Sequence, residues 1–226
     1  MRMPLTFAAA MLAPAILLTA CADQKPQQLQ GMSGPAMSER DIGGRPTLAY
    51  IAPGTDFRKY KRFILEPVTV YRGSDAQFGE ATEADKQQLA QYMHSTFASA
   101  LGPRYIVTKA RPDAARLHLT LAGLEDSTPV VGTVSHVLPA GLVMNLVNEQ
   151  SGQPGSFSAA VIIAGELRDS QTNKLEASFV QKRFPDAMDI TSTLTSRDGQ
   201  KAAIQETANT FRARVDKIQS GGSATE

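Results

Sequence analysis

The chain has 226 residues, 42% of them hydrophobic, with a single cysteine and no tryptophan. Its 23 lysines and arginines balance 22 aspartates and glutamates, so the formal net charge of +1 gives no broad field for attracting nucleic acid, and no nucleic-acid partner is expected. One cysteine also excludes an intrachain disulfide and a metal site built from several thiolates. The length suits one core of ordinary size.

The first 20 residues have the features of an export signal. Arg2 gives a short positive end, and an uncharged run follows from Leu5 to Leu18, which is too short to span a membrane as a helix. Residues 1–20 are therefore predicted to be a signal peptide that takes no part in the fold.

The residues around the cysteine resemble the lipobox of bacterial lipoproteins. Leu18 is followed by two small residues, Thr19 and Ala20, and then by Cys21. The resemblance implies cleavage between Ala20 and Cys21, a diacylglycerol on the thiol and an acyl chain on the new amino group, with no other cofactor. Several acyl chains make a stable membrane anchor. The alternative is an inert cysteine beside an ordinary membrane anchor.

The residues after Cys21 bear on the choice of membrane. In similar enterobacterial lipoproteins an aspartate directly after the lipidated cysteine retains the protein at the inner membrane. Here Ala22 takes that place and Asp23 follows one position later. We therefore expect an outer-membrane anchor with the body facing the periplasm, and the inner membrane is the alternative.

Composition divides the rest of the chain into three parts. Residues 21–50 are rich in glutamine, proline and glycine without an apolar period, which predicts a flexible tether. Residues 51–219 are predicted to form one folded domain. Residues 220–226 are predicted to be a disordered tail.

The first elements of the domain are a strand and a helix. Arg62–Tyr71 is rich in strand formers, but its apolar positions change parity across Pro67, which predicts a bulge or an edge strand. Thr82–Asp85 resembles a capping box that begins a helix, and Gly102 with Pro103 ends it. The apolar residues between them recur at helical spacing: Leu89, Tyr92, Met93, Thr96, Phe97, Ala100 and Leu101.

Strands and a final helix follow. Residues 105–108 form a predicted short strand, and the alternation over 117–121 predicts a half-buried one. Residues 157–168 and 175–184 are predicted to form an antiparallel hairpin. The last helix has apolar residues at Ile204, Ala208, Phe211, Val215 and Ile218, and a mixed-charge face predicted to be solvated: Lys201, Glu206, Arg212, Arg214, Asp216 and Lys217.

The order of elements is β-α-β-β-(short helix or loop)-β-β-α. It predicts a single α+β domain with a mixed, mostly antiparallel sheet and two main helices packed on one face.

An uncharged segment lies between the two halves of the domain. Residues 127–148 contain no charged side chain, so the segment could span a bilayer or could form a loop with a short helix. If part of it is exposed, its apolar side chains would be a surface for a partner. The predicted partner surface consists of Val130, Val131, Val134, Leu142 and Val143.

Three stretches carry a further resemblance. KRFILEPVTVY, LPAGLVMNLVNEQSG and above all GELRDSQTNKLEAS are similar to a family of bacterial lipoproteins of unknown function, domain-of-unknown-function family 3313. The likeness covers most of residues 50 to 218. It implies a fold and a place in the envelope, and it implies no catalytic residues.

The most distinctive stretch ends in a turn that contains Asp169, Ser170 and Thr172. Asp169 and Ser170 are the best acid–hydroxyl pair in the chain. Neighbouring side chains on a strand point to opposite faces, however, and aspartate and serine at such a place usually bond to their own turn.

Known catalytic motifs are absent from the sequence, and no catalytic residue is predicted. His94, His118 and His136 lack the spacing of metal ligands, so no metal site is predicted either. The leading hypothesis is a non-enzymatic, lipid-anchored accessory or binding domain whose partner is another envelope protein. The alternatives are a hydrolase of an envelope polymer centred on Asp169, Glu166 or Ser170, and a carrier that holds a small ligand between sheet and helices.

Overall fold

The computed structural model describes residues 26–32, 34–42, 45–125, 159–185 and 195–222. The predicted signal peptide with the cleavage site at Ala20 and Cys21 lies outside these residues. So does the predicted partner surface in residues 127–148.

Seven strands and two long helices make up the described part of the chain. The strands are β1 (Ser38–Asp41), β2 (Pro46–Ile51), β3 (Arg62–Leu65), β4 (Thr69–Val70), β5 (Ala114–Glu125), β6 (Ala160–Asp169) and β7 (Leu175–Arg183), and the helices are α1 (Glu83–Tyr105) and α2 (Ser196–Gln219). A short 3-10 turn, Phe57–Lys59, lies between β2 and β3.

All seven strands belong to one sheet in the order β1-β2-β7-β6-β5-β3, with β4 also paired to β5. The pairs from β1 through β5 are antiparallel, whereas β3 and β4 run parallel to β5. The mixed, mostly antiparallel sheet predicted from the sequence is confirmed. The parity change at Pro67 corresponds to the break between β3 and β4 at the sheet edge.

Residues 38–41 and 46–50 differ from the sequence prediction, which placed them in the flexible tether. They form β1 and all of β2 except Ile51, and they extend the sheet beyond β7. Thr47 and Ala49 of β2 are buried, and Leu29, further toward the N-terminus, is also buried. The sequence did not indicate these strands because β1 is wholly polar and the buried residues of β2, Thr47 and Ala49, are small, so β2 shows no clear apolar alternation.

Helix α1 begins at the predicted capping box. The Thr82 hydroxyl accepts from the backbone N–H of Asp85, and the Asp85 carboxylate accepts from that of Thr82. Gly102 has a φ of +64°, a conformation suited to glycine, and it interrupts the helix before a final turn that ends at Tyr105. The strand expected over residues 105–108 is consequently reduced to one bridge between Ile106 and Phe63.

The two faces of the sheet are covered unequally. Both helices pack on one face, and the main core lies beneath them: Phe63, Leu89, Met93, Phe97, Leu101, Leu117, Leu119, Leu121, Val161, Ile163, Ile204 and Ala208. A smaller cluster on the other face contains Leu29, Ala122, Ile162, Ala164 and Val180. The helices therefore enclose the face on which space for a ligand would lie.

Candidate functional site

The turn between β6 and β7 is held by one carboxylate oxygen. Oδ1 of Asp169 accepts from the backbone N–H of Gln171 at 3.0 Å, from that of Thr172 at 2.9 Å, and from the Thr172 hydroxyl at 3.1 Å. Hydrogen bonds to the charged form, that from the Thr172 N–H foremost, hold the pKa of Asp169 well below its ordinary value. Asp169 thus bonds to its own turn.

The second oxygen of Asp169 faces the segment before β3. Oδ2 lies 3.1 Å from the Tyr60 hydroxyl and 3.3 Å from Nζ of Lys59. The same hydroxyl lies 3.0 Å from Oε1 of Glu176, whose Oε2 accepts from the Thr55 hydroxyl at 2.6 Å. This group of side chains ties the connection between β2 and β3 to the β6–β7 hairpin.

Charge states in this group favour a structural role. Burial and hydrogen bonds to Glu176 and Asp169 raise the pKa of Tyr60. Burial acts to raise the pKa of Glu176, but hydrogen bonds from Thr55 and Tyr60 leave it below its ordinary value. Both carboxylates are therefore charged beside a neutral phenol. An acid–base pair would instead have environments that push one carboxyl pKa up and the other down.

The three residues of the hydrolase hypothesis make separate contacts. Oγ of Ser170 accepts from the Arg111 N–H at 3.0 Å and donates to the Arg111 carbonyl at 2.8 Å. Glu166 pairs with Arg168 at 2.8 Å. Within the described residues no hydrogen bond joins the side chains of Asp169 and Ser170. The structure places the pair side by side in one turn, where each side chain bonds to different groups and they share no reacting position.

Histidines do not gather into a metal site in the described part of the chain, where no group of three or more histidine, cysteine, aspartate or glutamate side chains is placed to hold an ion. Nε2 of His118 lies 3.1 Å from the Thr69 hydroxyl at the sheet edge. His136 lies outside the described residues.

A cavity of about 180 Å³ lies between α2 and the sheet. Its walls are predominantly apolar and come mainly from β2, β7, the 3-10 turn and the C-terminal half of α2, with single residues from β3, β5, β6 and α1. The residues that define it include Ala49, Ile51, Phe57, Phe63, Phe97, Leu167, Ala177, Phe179, Phe211, Val215 and Ile218. An apolar cavity of ~150 Å³ is large enough to admit benzene, so this space can hold part of an apolar molecule.

A glycine and two residues of α2 account for the shape of the cavity. Gly165 on β6 lies beneath the ring of Phe179, where a Cβ would come within 2.5 Å of Cζ. Phe211 and Ile218 belong to the apolar stripe of α2, yet they are only half-buried because they border the cavity. The apolar stripe predicted α2 correctly, but it did not predict the cavity between the C-terminal half of this helix and the sheet.

Two arginines line the same cavity. Arg183 ends β7 and is only 4% exposed, and Arg214 projects from α2 and is half-buried. The sequence placed Arg214 and Glu206 on a solvated face, and both are half-buried instead. The one signal that could have indicated the site is the run of Gln181, Lys182 and Arg183, three polar residues in a row in an interior strand.

The described part of the chain is thus an α+β domain with an apolar cavity that has a cationic end. Neither of its helices has both the length and the apolar character needed to cross a bilayer.

The sequence matches a family model described as a protein of unknown function, DUF3313, over residues 32–211, and the chain belongs to that family. The resemblance carried by the three stretches of sequence is confirmed. No curated protein matches the chain.

The solved structures that the chain matches have little sequence in common with it. PelC from Paraburkholderia phytofirmans, solved as a dodecamer, is 8% identical over 74% of this chain and 96% of its own, with a TM-score of 0.36. A DUF330 protein from Xanthomonas campestris is 9% identical over 68% and 82%, with a TM-score of 0.36. A protein described as a lipoprotein from Caulobacter crescentus is 12% identical over 73% and 93%, with a TM-score of 0.32. The family assignment rests on the family model alone.

Proposed function

We propose that this protein is an envelope lipoprotein, anchored to the outer membrane through acyl chains on Cys21, and that its periplasmic domain binds another component without transforming it. The lipobox Leu18–Cys21 supports the anchor, and Ala22 directly after the cysteine supports the outer membrane. The likeness of the sequence to a family of lipoproteins supports the anchor.

The observation that carries the binding function is the cavity between α2 and β7. Pockets for small molecules are concave and mostly apolar, with a few polar groups that fix orientation, and this cavity has that character. It favours the hypothesis of a small-ligand carrier, which the sequence allowed as an alternative to a domain that binds an envelope protein. Binding of an envelope protein through residues 127–148 is a second proposal, and it concerns residues outside the described part of the chain.

The hydrolase hypothesis has no comparable support. Asp169, Ser170 and Glu166 each make contacts that hold the backbone or a neighbouring side chain. A catalytic group needs a free position within hydrogen-bond reach of a substrate atom. The two carboxylate oxygens of Asp169 bond to the turn and to Tyr60 and Lys59, and the hydroxyl of Ser170 bonds to the backbone of Arg111.

Complementation of a deletion strain separates these functions. The variants are Asp169→Asn and Ser170→Ala for catalysis, and Ala177→Leu for the cavity, with the exposed Ala84→Leu in α1 as the matched control. We expect the first two variants to complement wherever they accumulate to wild-type levels, and Ala177→Leu to fail. Loss of function in Ser170→Ala at full abundance, with Ala177→Leu active, would favour the hydrolase.

A further inference from the structure

Arg183 is a buried cation with few compensating contacts among the residues that the structure describes. It is 4% exposed, and its Nε donates to Oε1 of Gln181 at 3.0 Å. In the part of the chain that the structure describes, no carboxylate lies within ion-pair distance of its guanidinium. A buried charge is costly unless an opposite charge or several hydrogen bonds compensate for it. The guanidinium can make several donations beyond the one to Gln181.

The surrounding charges leave this end of the cavity positive. Arg45 pairs with Glu206 at 3.0 Å, and Asp41 interacts electrostatically with both Arg183 and Arg214. Among the described residues, the charges that act on Arg183 and Arg214 thus comprise three guanidiniums and two carboxylates. Burial, with repulsion from Arg45 next, lowers the pKa of Arg183 to about 10, so its side chain still carries its charge at neutral pH. An anion placed here would relieve the imbalance.

An apolar path leads away from the arginine. Ala177, Phe179, Gln181 and Arg183 alternate along β7 and all line the cavity. At ~3.4 Å per residue the path from Arg183 to Ala177 is roughly 20 Å long. Phe211 and the neighbouring residues of α2 cover it from the opposite side.

We propose that the cavity binds an anionic amphiphile, an acyl chain that carries a carboxylate or phosphate, with its chain between β7 and α2 and its anionic group on Arg183 and Arg214. The inference rests on the proposed binding function and gives it a ligand class. Guanidinium groups suit both anions because their N–H fork matches two oxygens at once. A neutral or cationic amphiphile would leave Arg183 uncompensated.

Calorimetric titration of the chain that begins at Ala22 tests the inference, since this chain contains every described residue and lacks the acyl chains of the anchor. The probes share one chain length: decanoate, decyl phosphate, decanol and decyltrimethylammonium. We expect saturable binding of one or both anions, with decanol and the cation at least roughly tenfold weaker, because charge-assisted hydrogen bonds are worth more than an order of magnitude in affinity. The stronger anion indicates a fatty acid or a phospholipid-like source.

Variants test whether the anions bind at Arg183 and Arg214 in the cavity. Arg183→Gln and Arg214→Gln are each expected to weaken anion binding by about tenfold or more while decanol changes little. Ala177→Leu is expected to weaken the binding of all four probes. Arg72→Gln removes an exposed arginine outside the cavity and is expected to leave the binding of every probe unchanged. If Arg183→Gln does not fold by circular dichroism, Arg214→Gln decides.

The outcomes separate this inference from the proposed function. Decanol binding as tightly as both anions overturns the ligand class and leaves a binding domain with an apolar ligand. Anion binding unchanged in Arg183→Gln and Arg214→Gln overturns the assigned site. Absence of binding by every probe overturns both the inference and the carrier function, whereas the lipid anchor is tested independently at Cys21.

Discussion

The Tyr60 hydroxyl lies 3.1 Å from Oδ2 of Asp169, although the two residues are 109 positions apart in sequence. The contact joins the connection before β3 to the turn of the β6–β7 hairpin. These are the beginning and the most distinctive stretch of the family resemblance. The turn therefore serves as an attachment point for a distant segment, and its conspicuous sequence has a structural explanation.

Replacing Tyr60 with phenylalanine removes the donor that Asp169 and Glu176 share. Each carboxylate keeps other partners, but both lose a hydrogen bond in a buried place, which costs about 1–3 kcal/mol of unfolding free energy. Urea denaturation at pH 7 measures the change.

Tyr92→Phe is the matched control, since among the described residues no hydrogen bond is recorded for the Tyr92 hydroxyl. It is expected to change the unfolding free energy by less than about 0.5 kcal/mol. Equal, small effects of the two substitutions would show that the Tyr60 hydroxyl contributes nothing to stability.

Acid should weaken this attachment. Asp169 and Glu176 have pKa values below their ordinary 3.8 and 4.5 in the folded protein, so the unfolded chain binds protons first as the pH falls. Their contribution to stability is fully present above these ordinary values and is lost progressively below them. The unfolding free energies of wild type and Asp169→Asn should therefore differ by about 1 kcal/mol or more above about pH 5 and converge as the pH falls from there to about 2. A constant difference across this range would contradict the pKa shift.

Gly165→Ala should destabilise the sheet through one contact. The new Cβ would lie 2.5 Å from Cζ of Phe179, so the ring must move out of its place in the cavity wall, at a cost of about 1–3 kcal/mol. Adding Phe179→Leu removes the crowded ring. The double variant should then lose less stability than the sum of the single variants, and strict additivity would show that the two residues do not interact.

Much of the fold could be predicted because its signals are local. Helix α1 was found from the Thr82–Asp85 capping box, and the β6–β7 hairpin from its polar turn. β1 and β2 escaped prediction because β1 is wholly polar and β2, whose buried residues Thr47 and Ala49 are small, gains its stability from pairing with β7, far along the chain. Such pairing leaves little trace in the sequence of the strand itself.

The cavity could not be predicted from the sequence for a similar reason. An apolar stripe such as that of α2 predicts which residues turn inward, but it does not predict whether the space beneath them is filled. The charge on Arg183 was visible, whereas its burial depends on α2 and β2 together. The polar turn at Asp169 was predicted from the sequence. Its hydrogen bond with Tyr60 could be seen only in the tertiary structure.

The proposed location of the protein depends on lipidation of Cys21, and mass spectrometry of the N-terminal peptide from the membrane fraction tests it most directly. We expect a peptide that begins at Cys21, with a diacylglycerol on the sulfur and an acyl chain on the amino group, and residues 1–20 absent. Cys21→Ser should abolish both modifications. If the signal peptide is still removed, the protein should then be released from the membrane fraction. An unmodified Cys21 in the wild-type membrane fraction would contradict the lipid anchor on which the proposed function depends.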